Sequence, residues 1–77
     1  MVKVLSINSN GLGDPLKRKW IGDLSRKNGC DLVCIQETHL QSLDPNLIRD
    51  CWGGGDCDWE FVLSEGRSGG ICSLWNP

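Results

Sequence analysis

Asp31-Leu32-Val33-Cys34-Ile35-Gln36-Glu37-Thr38 is the stretch on which the fold turns. Four apolar residues in a row, Leu32 to Ile35, run straight into Gln36-Glu37-Thr38. A short unbroken apolar run fits a strand buried on both faces, as in a parallel sheet. In open α/β sheets, ligands bind outside the carboxyl ends of the strands. Glu37 stands at such an end, so it is either a site residue or a solvated residue just clear of the core.

Upstream, Val2 to Ile7 reads as a strand, with Val2, Val4, Leu5 and Ile7 as its apolar positions. It ends at the turn formers Asn8-Ser9-Asn10-Gly11. Asp14-Pro15 then marks a helix start, with Asp14 as N-cap and Pro15 at the first helical position. Leu16, Trp20, Ile21 and Leu24 follow at helical spacing and predict one apolar face. Gly22 weakens that helix by about 1 kcal/mol relative to Ala. Asn28-Gly29 stops it, since Gly tolerates the left-handed conformation. Strand, helix, strand makes a βαβ unit with parallel strands. Asn8 and Glu37 should then share one rim of the sheet.

Downstream, Leu43 to Cys51 predicts a short helix beginning at Asp44-Pro45. Asp58 to Leu63 and Ile71 to Trp75 read as strands, joined across Gly66-Arg67-Ser68-Gly69-Gly70 as an antiparallel pair. The fold class is α/β: a β-α-β unit followed by an antiparallel strand pair. Residues 1–77 make one domain at most, and the sequence stops straight after an apolar strand that nothing in it covers. The expectation is a partial domain whose C-terminal portion is absent.

The net charge is −2, from 8 basic and 10 acidic residues, so the whole chain has no electrostatic footprint for strong nucleic-acid binding. No apolar run approaches membrane-spanning length. The N-terminus lacks the pattern of a signal peptide, and an intracellular protein is expected. Five cysteines, at 30, 34, 51, 57 and 72, form no zinc-type spacing. Either they are reduced and act as small buried hydrophobes, Cys34 and Cys72 above all, or Cys51 and Cys57 form a bridge in an oxidising compartment.

Asn8 and Glu37 are the strongest candidate constellation. A carboxylate is a hard ligand suited to Mg²⁺, which keeps several waters and takes one or two protein carboxylates. An adjacent amide can orient a phosphate oxygen or a metal-bound water; the alternative is that Asn8 makes a turn with its own backbone.

Taken together, Leu5-Ser6-Ile7-Asn8-Ser9-Asn10-Gly11-Leu12-Gly13, Lys17-Arg18-Lys19-Trp20, Cys34-Ile35-Gln36-Glu37-Thr38, Gly66-Arg67-Ser68-Gly69-Gly70-Ile71 and Leu74-Trp75 carry a resemblance. They resemble the start of an endonuclease/exonuclease/phosphatase domain, in particular the apurinic-endonuclease-like domains of plant-type non-LTR (LINE-type) retrotransposon proteins. The resemblance covers nearly the whole chain. It implies a Mg²⁺-dependent phosphodiesterase acting on DNA, built as a four-layer α/β/β/α sandwich, with the nucleus as a location. Asn8 matches the active-site asparagine and Glu37 the metal-binding glutamate. Asn10 falls where apurinic endonucleases carry an aspartate near the metal, and Ile7 replaces a common tryptophan.

The departure from the family is an absence. The later Gly-Asp-x-Asn and Ser-Asp-His segments, which bring the water-activating aspartate and the phosphate-stabilising histidine, have no counterpart here. His39, the only histidine, belongs to the Glu37 stretch and reads as a solvated loop residue. The resemblance thus leaves open a fragment inactive alone, a fragment of another phosphoesterase of the superfamily, and a non-catalytic degenerate product. For a domain fragment, the missing C-terminal part of the same domain is the expected partner. Three further segments have two readings each. Arg67 and its glycines form either an anion-binding nest or a plain hairpin turn. Lys17 and Arg18 either contact DNA backbone or lie on a solvated helix face. The four tryptophans are packing residues or base-stacking platforms, and packing is expected.

Overall fold

The computed structural model describes residues 1–66 and 69–77. The element order is β1 (Val4–Asn8), α1 (Pro15–Asn28), β2 (Leu32–Gln36), α2 (Pro45–Trp52), β3 (Asp58–Val62) and β4 (Ile71–Trp75). The strands form one mixed sheet in the order β1-β2-β4-β3. β1 and β2 are parallel, in a register that sets Asn8 beside Gln36. β4 lies between β2 and β3 and runs antiparallel to both.

Both helices begin and end as their sequences dictate. Asp14 Oδ1 accepts the Leu16 N–H at 2.9 Å, and Asp44 Oδ1 accepts the Asn46 N–H at the same distance. Each helix has its proline in the first turn and closes on a left-handed glycine, Gly29 or Gly53.

The core lies between these helices and one face of the sheet. Val33, Ile35, Cys72 and Leu74 point there from the two central strands and meet Ile21, Leu47, Ile48, Cys51 and Trp52. The opposite face, bearing Val4, Ser6 and Asn8 of β1 and Leu32, Cys34 and Gln36 of β2, is exposed or half-buried. This corrects the reading of β2 as a strand buried on both faces. Side chains alternate along a strand, so with both helices on one side only Val33 and Ile35 are fully enclosed. Cys34 is accordingly half-buried, while Cys72 is buried as expected. All five thiols are free.

α1 also turns differently from its apolar pattern. Ile21, Gly22 and Ser25 are its buried residues, while Leu16 and Trp20 are 75% and 55% exposed. The reason is the close approach of α2. A Cβ on Gly22 would run into the Asp50 carbonyl oxygen, and one on Gly53 into the Gly22 carbonyl. The glycine that costs α1 helical propensity is the contact that lets the two helices touch, and it rotates Leu16 and Trp20 outward. Of the tryptophans, Trp52 is buried, whereas Trp59 joins Trp20 on the surface.

Two predictions follow from this packing. Gly22→Ala should lower stability by about 1–3 kcal/mol, as overpacking does, seen as a lower urea midpoint. Were Gly22 only a weak point of the helix, the same change would raise stability by about 1 kcal/mol.

The second concerns the buried thiols. Burial, the dominant cause, pushes both Cys51 and Cys72 from 9.0 up to about 12. The folded state therefore favours the neutral thiol. That stabilisation is complete below about pH 9 and is lost as the pH rises from there towards 12. The urea midpoint should fall across this window, and replacing Cys51 and Cys72 together with alanine should flatten the decline relative to the parent chain. An unchanged slope would show that these two thiols do not account for it.

Candidate active site at the carboxyl rim of the parallel strands

The β1–β2 ladder continues past the ends of its strands. Ser9 N–H donates to Gln36 O at 2.9 Å, Gly11 N–H to Glu37 O at 2.7 Å and Leu12 N–H to Thr38 O at 2.9 Å. The loop after β1 is thereby zipped to the residues after β2. Asn8 and Glu37 come to one rim as the βαβ reading requires, and both side chains are exposed. Asn8 Oδ1 accepts the Asn10 N–H at 3.2 Å, so the turn with its own backbone does form. Its Nδ2 has no partner among the described residues, and it remains available to a ligand.

The backbone of this rim is unusual. Asn10, Glu37 and His39 are the non-glycine residues with positive φ among the described residues, at 49°, 52° and 58°. For a residue such as Glu this conformation costs about 1–2 kcal/mol, and such strain collects at functional sites. It takes Glu37 out of the strand direction at the point where its carboxylate leaves the sheet.

Lys17 and Arg18 are tied to the same loop. Lys17 Nζ donates to Ser9 O at 2.8 Å and to Gly11 O at 3.0 Å, and Arg18 Nε donates to Leu12 O at 2.6 Å. Both side chains are half-buried. Their charge is thus partly committed to loop carbonyls, with Arg18 retaining its terminal nitrogens and Lys17 its third proton. Arg67 lies outside the described residues. His39 is half-buried and donates its backbone N–H to Gly69 O at 3.0 Å.

Three residues of the site were missed in the sequence. Ser9 is buried, and its hydroxyl lies 3.0 Å from both Gln36 O and Glu37 O. Thr38 is fully buried, and its Oγ1 has no hydrogen-bond partner among the described residues. Gly70 accepts the Thr38 N–H at 3.2 Å and has a φ of 92°. A Cβ on Gly70 would collide with Thr38 Oγ1, which explains the second glycine of Gly69-Gly70. The signal that could have found Ser9 is its position: a small hydroxyl residue facing a strand end one step from a candidate ligand.

No family model matches the chain. Its fold is similar to that of an AP endonuclease from Archaeoglobus fulgidus, with a TM-score of 0.68 and 20% identity over 95% of this chain and 27% of that one. A 3′ phosphatase from Neisseria bound to a product DNA hairpin gives 0.68 and 19%, over 97% of this chain and 27% of that one. An AP endonuclease from Leishmania major gives 0.60 and 22%, over 97% and 24%. The chain spans about a quarter of the length of these proteins. The class is therefore an α/β fold matching a fragment of the AP endonuclease architecture.

The hydrogen bond from Arg18 Nε to Leu12 O is open to a direct test. Arg18→Met keeps the aliphatic stem and removes a charged donor from a half-buried carbonyl, so stability should drop by about 1–2 kcal/mol. A urea midpoint equal to that of the parent chain would mean that Arg18 does not hold the loop.

Proposed function

We propose that these 77 residues are the N-terminal part of a Mg²⁺-dependent phosphodiesterase domain that cleaves DNA, of the kind carried by plant-type non-LTR retrotransposon proteins. The observation that carries the reading is the joining of Asn8 and Glu37 at one rim by the extended β1–β2 ladder. The motif resemblance and the likeness of fold to DNA-acting enzymes both support it. A nuclear site of action goes with the same proposal. No helix among the described residues is long and apolar enough to cross a membrane.

The donor set fits a magnesium ion that keeps most of its waters. No group of three or more His, Cys, Asp or Glu side chains that could hold a metal is found among the described residues. An exposed carboxylate with neighbouring carboxamides suits a hard cation that needs only one or two protein carboxylates. Glu37 would be the ligand, with Asn10 beside it. When bound, the ion would polarise the scissile phosphate. Asn8 would orient a phosphate oxygen through its free Nδ2. Lys17, Arg18 and Arg67 would contact the DNA backbone with whatever donors the fold leaves them.

One carboxylate and one amide do not complete the chemistry. Cleavage also needs an activated water and stabilisation of charge developing on the phosphate, and no residue here matches those roles. The alternative is a non-catalytic product, and the occupied Asn8 Oδ1 speaks for it.

A supercoiled-plasmid nicking assay with Mg²⁺ separates the two. The 77-residue chain should not nick at a useful rate. Joined to the remainder of a matching domain it should nick, and Glu37→Ala in that completed domain should abolish most of the activity. A completed domain that stays inert, or one indifferent to Glu37→Ala, would remove the phosphodiesterase reading.

A further inference from the structure

In an extended strand, successive carbonyls point to opposite sides. At the end of β2 they do not. Gln36 O and Glu37 O both lie 3.0 Å from one atom, Ser9 Oγ. Two consecutive carbonyls can converge on a single donor because the chain between them has left the extended conformation, and Glu37 has done so with its φ of 52°. The convergence sets two like dipoles side by side, which is unfavourable unless a donor lies between them.

We propose that Ser9 is the positioning residue for Glu37: its buried hydroxyl holds the Gln36 and Glu37 carbonyls together, and so fixes the left-handed turn that aims the Glu37 carboxylate out of the rim. As the role of that carboxylate, this rests on the metal-ligand reading above; as a statement about conformation, it stands by itself. Ser9 is suited to the task on three counts. It is only 4% exposed, so water does not compete for its proton. Its backbone N–H also binds Gln36 O, which fixes the side chain over the turn. Its own carbonyl is held by Lys17 Nζ, which holds Gly11 O as well, while Gly11 N–H supplies the second donor to Glu37 O. The path from α1 to the candidate ligand is thus Lys17, then Ser9 and Gly11, then Glu37. Alanine at position 9 would leave Glu37 O with one donor in place of two and leave the paired carbonyls unscreened. Threonine would keep the hydroxyl.

The test uses the full 77-residue chain and two independent readouts. The first is conformational. A residue at positive φ gives a strong intraresidue HN–Hα NOE, and Glu37 should show it. Ser9→Ala should weaken this NOE and speed amide exchange at Gly11, with the Val33 and Ile35 amides unchanged. Ser9→Thr should restore both. The second readout is Mn²⁺ affinity, measured by water-proton relaxation. It should fall about tenfold in Ser9→Ala, the scale of losing a residue that orients a metal ligand, and should recover in Ser9→Thr. If Ser9→Ala does not fold, Lys17→Met loosens the same clamp from α1 and should weaken the same NOE. An unchanged Glu37 NOE and Gly11 exchange rate in a folded variant would overturn the proposal. The two failures are distinguishable. Mn²⁺ binding that ignores Glu37→Gln sinks the metal reading alone, and the NOE still decides what Ser9 does.

Discussion

The structure depends on three backbone hydrogen bonds that carry the β1–β2 ladder beyond its strands, from Ser9, Gly11 and Leu12 to Gln36, Glu37 and Thr38. Without them the loop after β1 would be free to wander, and Asn8 and Glu37 would be two unrelated surface residues. With them, Leu12 is drawn fully into the core, and α1 begins from a fixed point. The rim is an extension of the sheet rather than a loop laid on top of it. Lys17 and Arg18 reinforce it from the first turns of α1, so the helix that connects the two strands also clamps their ends.

The second constraint is that the helices occupy one side of the sheet only. Their mutual approach at Gly22 and Gly53 is close enough that neither position has room for a side chain. That contact fixes how α1 is rotated, and the rotation leaves Leu16 and Trp20 beside the edge strand β1, around a groove of about 360 Å³ also lined by Ile7 and Asn8. The uncovered sheet face and this apolar edge stay exposed or half-buried. The local order at the rim does not need them. The hydrogen bonds that place Glu37 lie within residues 9 to 38 and at Gly69-Gly70.

What the rim presents is therefore a carboxylate held in place by the backbone around it. Strain and its compensation lie within a few residues of each other: left-handed Asn10, Glu37 and His39 on one side, and the donors of Ser9, Gly11 and Lys17 on the other. Each backbone distortion is opposed by a hydrogen bond, and the distorted segment carries the exposed carboxylate. Backbone strain of this kind collects at functional sites, and here it carries an exposed carboxylate.

Much of the fold was legible in the sequence because it is governed by local chemistry. Asp14-Pro15 and Asp44-Pro45 start helices through side-chain caps, and Gly29 ends one by adopting a conformation that other residues resist. The apolar runs gave the strands, and a strand-helix-strand unit of this length left little choice but a parallel pair, which put Asn8 and Glu37 on one rim. Three things were decided only by the tertiary structure. β4, not β3, pairs with β2, since strand order is a matter of which edges meet and not of any residue pattern. Cys34, Leu16 and Trp20 face outward, because burial depends on where the helices lie, and that was set by the Gly22–Gly53 approach between residues thirty-one positions apart. Ser9, Lys17 and Arg18 became the supports of the rim because hydrogen bonds to backbone carbonyls leave no trace in composition or periodicity; they exist only once the chain has brought a donor to a particular oxygen.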